Sequence, residues 1–302
     1  YQMNPVMGTC AVPTNEGDFI RIAGSVGAQM ANMSGAWRGQ VMLEDAVRFK
    51  AVPAVVYWPA GDSMLLVDRY GKRCVNEKRA YNDRVRQLYN YDATEAEYPH
   101  LLTYMIFDQR TMDLRAGHYP IPPSAGASDS TLAADSLAEL AEKLSQRLHA
   151  LRAHTGGQSL AADFAEQLKD SVSRFSDMAN NGKDLDFGRG DHAEDREWGA
   201  FTPPHSGTDW PLPSENNPTM FPLQRKGPYY AIILAPGLLG TNGGPKVNPQ
   251  TQVLDYHDRP IQGLYAAGNC MAHPAANAYW AAGATIGSAL TFGKIAGEQA
   301  AQ

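Results

Sequence analysis

The segment 263–297 constrains this chain more than any other. It reads GLYAAGN, then a turn rich in alanine and glycine, then AGATIGSALTFGKIAG. Residues 261–267 (IQGLYAA) predict a short strand that ends at Gly268 and Asn269. A helix is predicted to begin after Gly283, near Thr285, and to run to the end of the chain. Ala284, Gly287, Ser288 and Ala289 keep its first turns small. A helix N-terminus presents free N–H groups and a partial positive charge. Small side chains let a flat ring lie against those groups. The arrangement therefore suits an aromatic cofactor whose edge becomes anionic on reduction. An ordinary helix packed closely on a sheet through its glycines satisfies the same residues, and local sequence does not separate the two.

Elsewhere the chain alternates strand and helix patterns. Residues 15–33 (NEGDFIRIAGSVGAQMANM) predict a helix capped by Asn15, with Glu16 and Asp18 at its positive end. Phe19, Ile22, Val26, Met30 and Met33 share one face of it. Gly24 and Gly27 within that helix imply a close approach by another group. Strands are expected in 53–67, first at Val55, Val56 and Tyr57 and then from Met64 to Val67, and again at 101–107 and 229–235. The turn at Asp68, Arg69, Tyr70 and Gly71 leads into Cys74, Val75 and Asn76. A helix begins at Ser136, with Leu137, Leu140, Leu144 and Leu148 along one side, and another spans 158–178. Loops are predicted at 121–130, through Gly237, Gly240, Gly243 and Gly244, and across 181–227, a region rich in Gly, Pro, Asp and Asn.

Composition removes several function classes. The chain has 302 residues, enough for one large or two ordinary domains. Its net charge is −6 and no basic stripe is present, which argues against nucleic acid. No apolar run approaches the ~20 residues of a membrane span. Cys10, Cys74 and Cys270 are too few and too far apart for a disulfide framework or a zinc site, so a reducing, cytoplasmic location is expected. The histidines show no ligand spacing, and no metal is expected. Asp184, Asp186, Asp191 and Glu194 resemble an acidic metal loop in composition only, and a solvated loop is the expectation. Gly188, Arg189, Gly190 and Ala193 satisfy a loose G-x-G-x-x-A pattern. No strand pattern precedes them and the neighbouring aspartates would repel a pyrophosphate, so this is rejected as a dinucleotide fingerprint.

Taken together, several motifs resemble the flavoprotein family of fumarate reductase and 3-ketosteroid dehydrogenase. They are YAAGN before the glycine turn and final helix, NEGDFIRIA at 15–23, LLVDRYGKRCVNE at 65–77, FDQR at 107–110 and GTNGGPKVN at 240–248. The resemblance runs from about residue 5 to residue 297. It implies an FAD cofactor and an α+β / α/β fold, with an incomplete Rossmann-like FAD domain and an inserted α+β substrate-capping domain. On this pattern residues 1–40 and 228–302 belong to the FAD domain and 41–227 to the cap. Gly268, Asn269, Ala284, Thr285, Ile286, Ser288, Ala289 and Leu290 would lie at the flavin.

Within the family, the fumarate branch uses arginines after the NE hairpin and in the final turn. Here the fourth residue after Glu77 is Tyr81, and AHPAANAYWAAGATIG holds no Arg or Lys. A dicarboxylate would be left without partners there. The ketosteroid dehydrogenase branch fits better, and it implies catalytic roles for Tyr81, Tyr279 and Gly283. Tyr81 would help remove a proton beside a ketone, while Tyr279 and the Gly283 N–H would hold the ketone oxygen. His273 is a weaker candidate for a proton relay. Trp280 stands where that branch has proline, so the pocket wall differs. The implied substrate is an apolar, steroid-like cyclic ketone, with an artificial or respiratory electron acceptor. The strand, G-x-G-x-x-G turn and helix that open the family's FAD domain are not in this sequence. The chain therefore reads as a fragment lacking the N-terminal part of the FAD domain, one that on its own binds FAD weakly or not at all.

Overall fold

One long strand organises the molecule, and both of its faces are covered. The structure is a computed structural model, and it describes residues 5–302. The strands in chain order are β1 (Gly8–Thr9), β2 (Met30–Ala31), β3 (Ala36–Met42), β4 (Met64–Val67), β5 (Thr103–Asp108), β6 (Thr131–Ala134), β7 (Tyr229–Thr241), β8 (Gly244–Pro245), β9 (Gln252–Leu254) and β10 (Pro260–Tyr265). The helices are α1 (Asp18–Ser25), α2 (Leu43–Arg48), α3 (Tyr81–Arg84), α4 (Gln109–Arg115), α5 (Leu137–Ala150), α6 (Phe164–Asn180), α7 (Ala193–Ala200) and α8 (Ala284–Ala300). Among the described residues no helix is long and apolar enough to cross a membrane.

The main sheet is mixed, with β7 at its centre. β7 pairs antiparallel with β5, β6 and β3 and parallel with β1, and β4 extends the sheet beyond β5. Alternate side chains along a strand face opposite ways. Tyr229, Ala231, Ile233 and Ala235 accordingly join one core with Leu140, Leu144 and Leu148 of α5 and Leu168, Val172 and Phe175 of α6. Tyr230, Ile232 and Leu234 join the other with Met105, Phe107 and Met112. The leucine stripe predicted on α5 is the buried one, and Ser136 caps that helix by accepting a bond from the Glu139 N–H.

Three expectations need correction. First, the glycines after 235 do not form a loop at once. β7 continues through Gly237 and Gly240 to Thr241. Gly237 pairs with Gly8 on one side and Gly39 on the other, and a Cβ there would stand 2.5 Å from Val41 Cγ1. Glycine is required because the strands crowd together, not because the chain turns. Second, the helix expected over 15–33 is only α1. Gly17, not Asn15, occupies its N-cap. Gly27 adopts a left-handed φ of 80°, which an L side chain rarely tolerates, and the chain then extends into β2. Ile22 and Val26 of the predicted apolar face are exposed. A Cβ on Gly27 would touch nothing, so that glycine serves the turn rather than a close approach.

Third, the region 181–227 holds more order than loops imply. It contains α7, and of the four acidic residues expected in a solvated loop, Asp184 and Asp186 are paired, while Asp191 and Glu194 are exposed as expected. Asp184 is buried and accepts bonds from Arg73 at 2.9 and 3.1 Å, and Asp186 pairs with Arg174. Arg189 is fully buried and donates to Glu77 Oε2 at 3.2 Å and to the Met64 carbonyl at 2.8 Å. Gly188 and Gly190 both have positive φ and form the turn that inserts it. The G-x-G here is thus a device for burying an arginine, and no strand precedes it. The stretch around Val55 and Val56 contributes one isolated bridge, Gln40 to Val56, rather than a strand.

Candidate active site

The NE hairpin fixes Tyr81 from below. Glu77 is completely buried, where it accepts bonds from Arg73 Nε and Nη2, both at 2.9 Å, and from the Leu66 N–H at 3.2 Å. Four residues on, Tyr81 opens α3. That short helix is held by Arg84, whose buried guanidinium donates to Gln40 Oε1 and to the Val56 carbonyl, both at 2.9 Å. Asn82 accepts the Arg38 N–H of β3 at 3.0 Å. Tyr81 is therefore immobile at its backbone and buried at its ring.

The other half of the site comes from the turn before α8. Several bonds pin this turn. The His273 N–H donates to the Asn242 carbonyl, and the Asn32 amide donates to the His273 carbonyl, each at 2.9 Å. Asn242 Nδ2 donates to the Ala276 carbonyl. His273 Nδ1 accepts the Ala275 N–H at 3.1 Å. Its Nε2 must then carry the proton, and it donates to Ser288 Oγ at 2.6 Å. Burial holds this imidazole below the ordinary histidine range. Both ring nitrogens are committed within the turn, so His273 is placed as an anchor rather than as a relay.

The two parts meet at the tyrosines. The Tyr81 and Tyr279 rings lie 5.3 Å apart, and their side chains share a hydrogen bond. Tyr57 packs on Tyr81 at 5.0 Å, and Trp37 packs on Tyr279 at 5.8 Å and on His273 at 4.8 Å. Burial, with the Tyr279 bond second, holds the Tyr81 phenol above the ordinary tyrosine range. The Cys10 thiol is close enough to contribute to the same shift. Sequence reasoning did not find Trp37, Tyr57, Cys10 or the asparagines Asn32 and Asn242. Each lies on a different element from the tyrosines, and of them Asn242 alone falls within one of the quoted motifs, GTNGGPKVN.

Gly283 forms the N-cap of α8 with φ 85°. The first i to i−4 bond of the helix runs from the Gly287 N–H to the Gly283 carbonyl at 2.8 Å, so the amides of Thr285 and Ile286 have no such acceptor. No acidic residue stands in the first turn. Gly268 has φ 63°, and a Cβ on it would come within 3.1 Å of Ala289 Cβ, so this glycine lets the helix approach the end of the β10 turn. Asn269, Ile286, Ala289 and Leu290 are exposed, and Thr285 is half-buried. Ala284 and Ser288 face inward, where the Ser288 hydroxyl donates to the Ala284 carbonyl at 2.7 Å. A Cβ on Gly287 would meet nothing within 4 Å. Free amides, small side chains and the absence of a carboxylate fit the electron-rich edge of a flavin ring.

Residues 7–286 match the family described as FAD binding domain. The chain belongs to that family. FAD is accordingly its cofactor. The chain is 32% identical, over 95% of its length, to 4-oxocyclohexanecarboxylate 2-dehydrogenase of Sinomonas cyclohexanicum, of which it covers 46%. It is also 32% identical, over 98% of its length, to 3-oxosteroid 1-dehydrogenase of Mycolicibacterium smegmatis, of which it covers 48%. Among solved structures it is similar to 3-ketosteroid delta1-dehydrogenase from Sterolibacterium denitrificans in complex with 1,4-androstadiene-3,17-dione. The TM-score is 0.72 at 27% identity, with 98% of this chain and 48% of that one covered. The chain thus spans about half the length of each of these relatives.

Proposed function

We propose that this chain carries the cap and the flavin-ring side of an FAD-dependent dehydrogenase that introduces a C=C bond beside the ketone of an apolar cyclic substrate. The contact between Tyr81 and Tyr279 at the mouth of α8 carries this reading. The relatives that act on oxosteroids and oxocyclohexanecarboxylate support it.

When bound, FAD supplies the acceptor for the hydrogen that leaves the β carbon with its electron pair. The remaining work falls to the protein. Tyr279 Oη and the Gly283 N–H donate to the ketone oxygen, and so favour loss of the α proton by stabilising the charge that develops on that oxygen. Tyr81 stands beside Tyr279 and, once its own phenolic proton has been lost to solvent, receives the α proton as the phenolate. In the free protein the Tyr81–Tyr279 bond opposes this role, because it adds to the burial that keeps the phenol protonated. Exchanging that bond for one from Tyr279 to the ketone removes one of the two main causes and lowers the barrier to proton transfer. Tyr57 and Trp37 pack around the pair and limit the access of water. We also propose that residues 1–40 and 228–302 are FAD-domain parts around a cap at 41–227, and that the pyrophosphate-binding unit is supplied from outside this sequence.

Turnover with FAD, a cyclic ketone and an artificial electron acceptor tests the assignment. Tyr279→Phe removes a donor aimed at the developing charge, and should lower kcat by about 10²–10³-fold with the fold intact. Unchanged turnover in both Tyr81→Phe and Tyr279→Phe would show that other groups carry the reaction.

A further inference from the structure

The cap contains a second cavity, of about 740 Å³, that neither catalytic tyrosine lines. It lies between α4, the turn at Gly61 and Asp62, and the loop 202–213. Ala200 and Thr202 belong to its wall. Phe201 between them packs on Trp58 at 5.4 Å, and Tyr57 next to Trp58 packs on Tyr81. A row of aromatic rings thus stands between this cavity and the tyrosine pair.

The lining combines apolar surface with a surplus of positive charge. Leu114, Trp210 and Leu212 supply much of the former. Two of the lining cations are satisfied. Arg110 forms a two-pronged pair with Asp62 at 3.0 and 2.8 Å, and Arg196 donates to the Gly190 and Asn216 carbonyls, both at 2.8 Å. Arg196 is exposed to solvent, whereas Lys78 and Arg115 are buried without a carboxylate in salt-bridge contact among the described residues. Lys78 is buried and donates only to the neutral carbonyls of Pro59 and Gly61, both at 2.6 Å. Arg115 is 9% exposed and donates to the Thr202 carbonyl, and its Nε has no hydrogen-bond partner. Among the described residues neither forms an ion pair with a carboxylate. Burial pushes the Lys78 ammonium well below the ordinary lysine range; Arg189 and Arg115 push it further, and Asp62 and Glu77 only partly oppose them. A buried cation with no carboxylate in contact is costly, and a complementary anion placed against it relieves that cost.

We propose that this cavity binds an organic monocarboxylate, with its carboxylate against Arg115 and Lys78 and its apolar body along Leu114, Trp210 and Leu212. A planar guanidinium matches a carboxylate in geometry. Asp62 and Glu215 share the same lining and disfavour a dianion such as phosphate. The apolar walls favour a ligand with a hydrocarbon body over a bare inorganic ion.

Isothermal titration of the full chain with cyclohexanecarboxylate tests this directly. One-to-one binding is expected, at least tenfold tighter than for cyclohexylmethanol, with inorganic phosphate failing to compete. Arg115→Met should weaken binding at least tenfold. Leu212 is 81% exposed, so Leu212→Asp places a negative charge at the rim without disturbing the core, and it should weaken binding as well. Tyr81→Phe should leave the affinity unchanged, which separates this cavity from the tyrosine site. The proposal is overturned by absent binding, by equal binding of the alcohol, by competition from phosphate, by dependence on Tyr81, or by indifference to both Arg115→Met and Leu212→Asp.

Discussion

Removing the charge of Glu77 should be among the most damaging single substitutions in this chain. The carboxylate has no solvent exposure and two cationic partners, Arg73 at 2.9 Å and Arg189 at 3.2 Å. Glu77→Gln keeps the shape but turns an amide donor toward guanidinium donors. Arg73 retains Asp184, whereas Arg189 is left with carbonyl acceptors alone in a site with no water access. Breaking a buried pair in this way costs about 3–5 kcal/mol. That is a large share of the roughly 5–15 kcal/mol by which a folded domain is stable. Burial alone would raise the Glu77 pKa, but Arg73 and Arg189 outweigh it and hold the group below the ordinary glutamate value of 4.5. Its folded pKa is therefore the lower one. The stabilisation is complete above pH 4.5 and disappears as the pH falls through the folded value. Urea denaturation followed by circular dichroism at pH 7 and again near pH 3 measures both effects. The gap between wild type and variant should be several kcal/mol at pH 7 and should shrink at low pH. Asp186→Asn breaks the more exposed pair with Arg174 and a longer contact to Arg73 at 4.0 Å, and should cost far less. If Glu77→Gln cost no more than Asp186→Asn, the network would not be what holds the NE hairpin.

Other consequences can be measured as readily. Gly237→Ala brings a Cβ within 2.5 Å of Val41 Cγ1 and 2.8 Å of the Gly39 carbonyl, so thermal denaturation should show a loss of about 1–3 kcal/mol or more. Ser288→Ala leaves the buried His273 Nε2–H without its acceptor and should cost about 1–3 kcal/mol by the same assay. The Tyr81 phenol is held above the ordinary tyrosine range by burial and by Tyr279, so kcat/KM should climb as the pH rises into the alkaline range, and Tyr81→Phe should flatten that slope. If only the ring end of the cofactor is gripped by this chain, fluorescence titration should show FAD binding weakly and no more tightly than FMN. Tight, stoichiometric binding of FAD alone would contradict the proposal that the pyrophosphate is held from elsewhere.

The legible parts of this molecule are those whose chemistry is local. The leucine spacing of α5, the apolar run that starts β7, and the glycine turn before α8 each state their structure within a few residues. The pairing of Tyr81 with Tyr279 was legible only through the family resemblance, since no spacing rule links positions so far apart. β3 passed unnoticed because it lacks the usual alternation. Both of its faces are buried, and Arg38 and Gln40 occupy it by bonding to Tyr89 and Thr103. Asp184 looked solvated because its partner, Arg73, is more than a hundred residues away. Gly237 looked like a turn because sequence does not distinguish a glycine that bends from one that makes room. The cations of the second cavity are likewise scattered, on the segment after β4, on α4 and on α7, and converge only in the fold.

The continuity of β7 has a mechanical meaning. Over Tyr229–Leu234 it is laced to β5 and over Leu234–Thr241 to β3, with no break between the two ladders. The strand leaves the core it shares with α5 and α6 as one continuous element and arrives beside the loop that pins the Tyr279 turn through Asn242. A rigid-body swing that parted the two ends of β7 would have to tear backbone hydrogen bonds or bend the strand where its pairing with β3 is irregular, at Leu239. Ligands should therefore enter by movement of side chains and surface loops, the turn that carries Tyr279 among them.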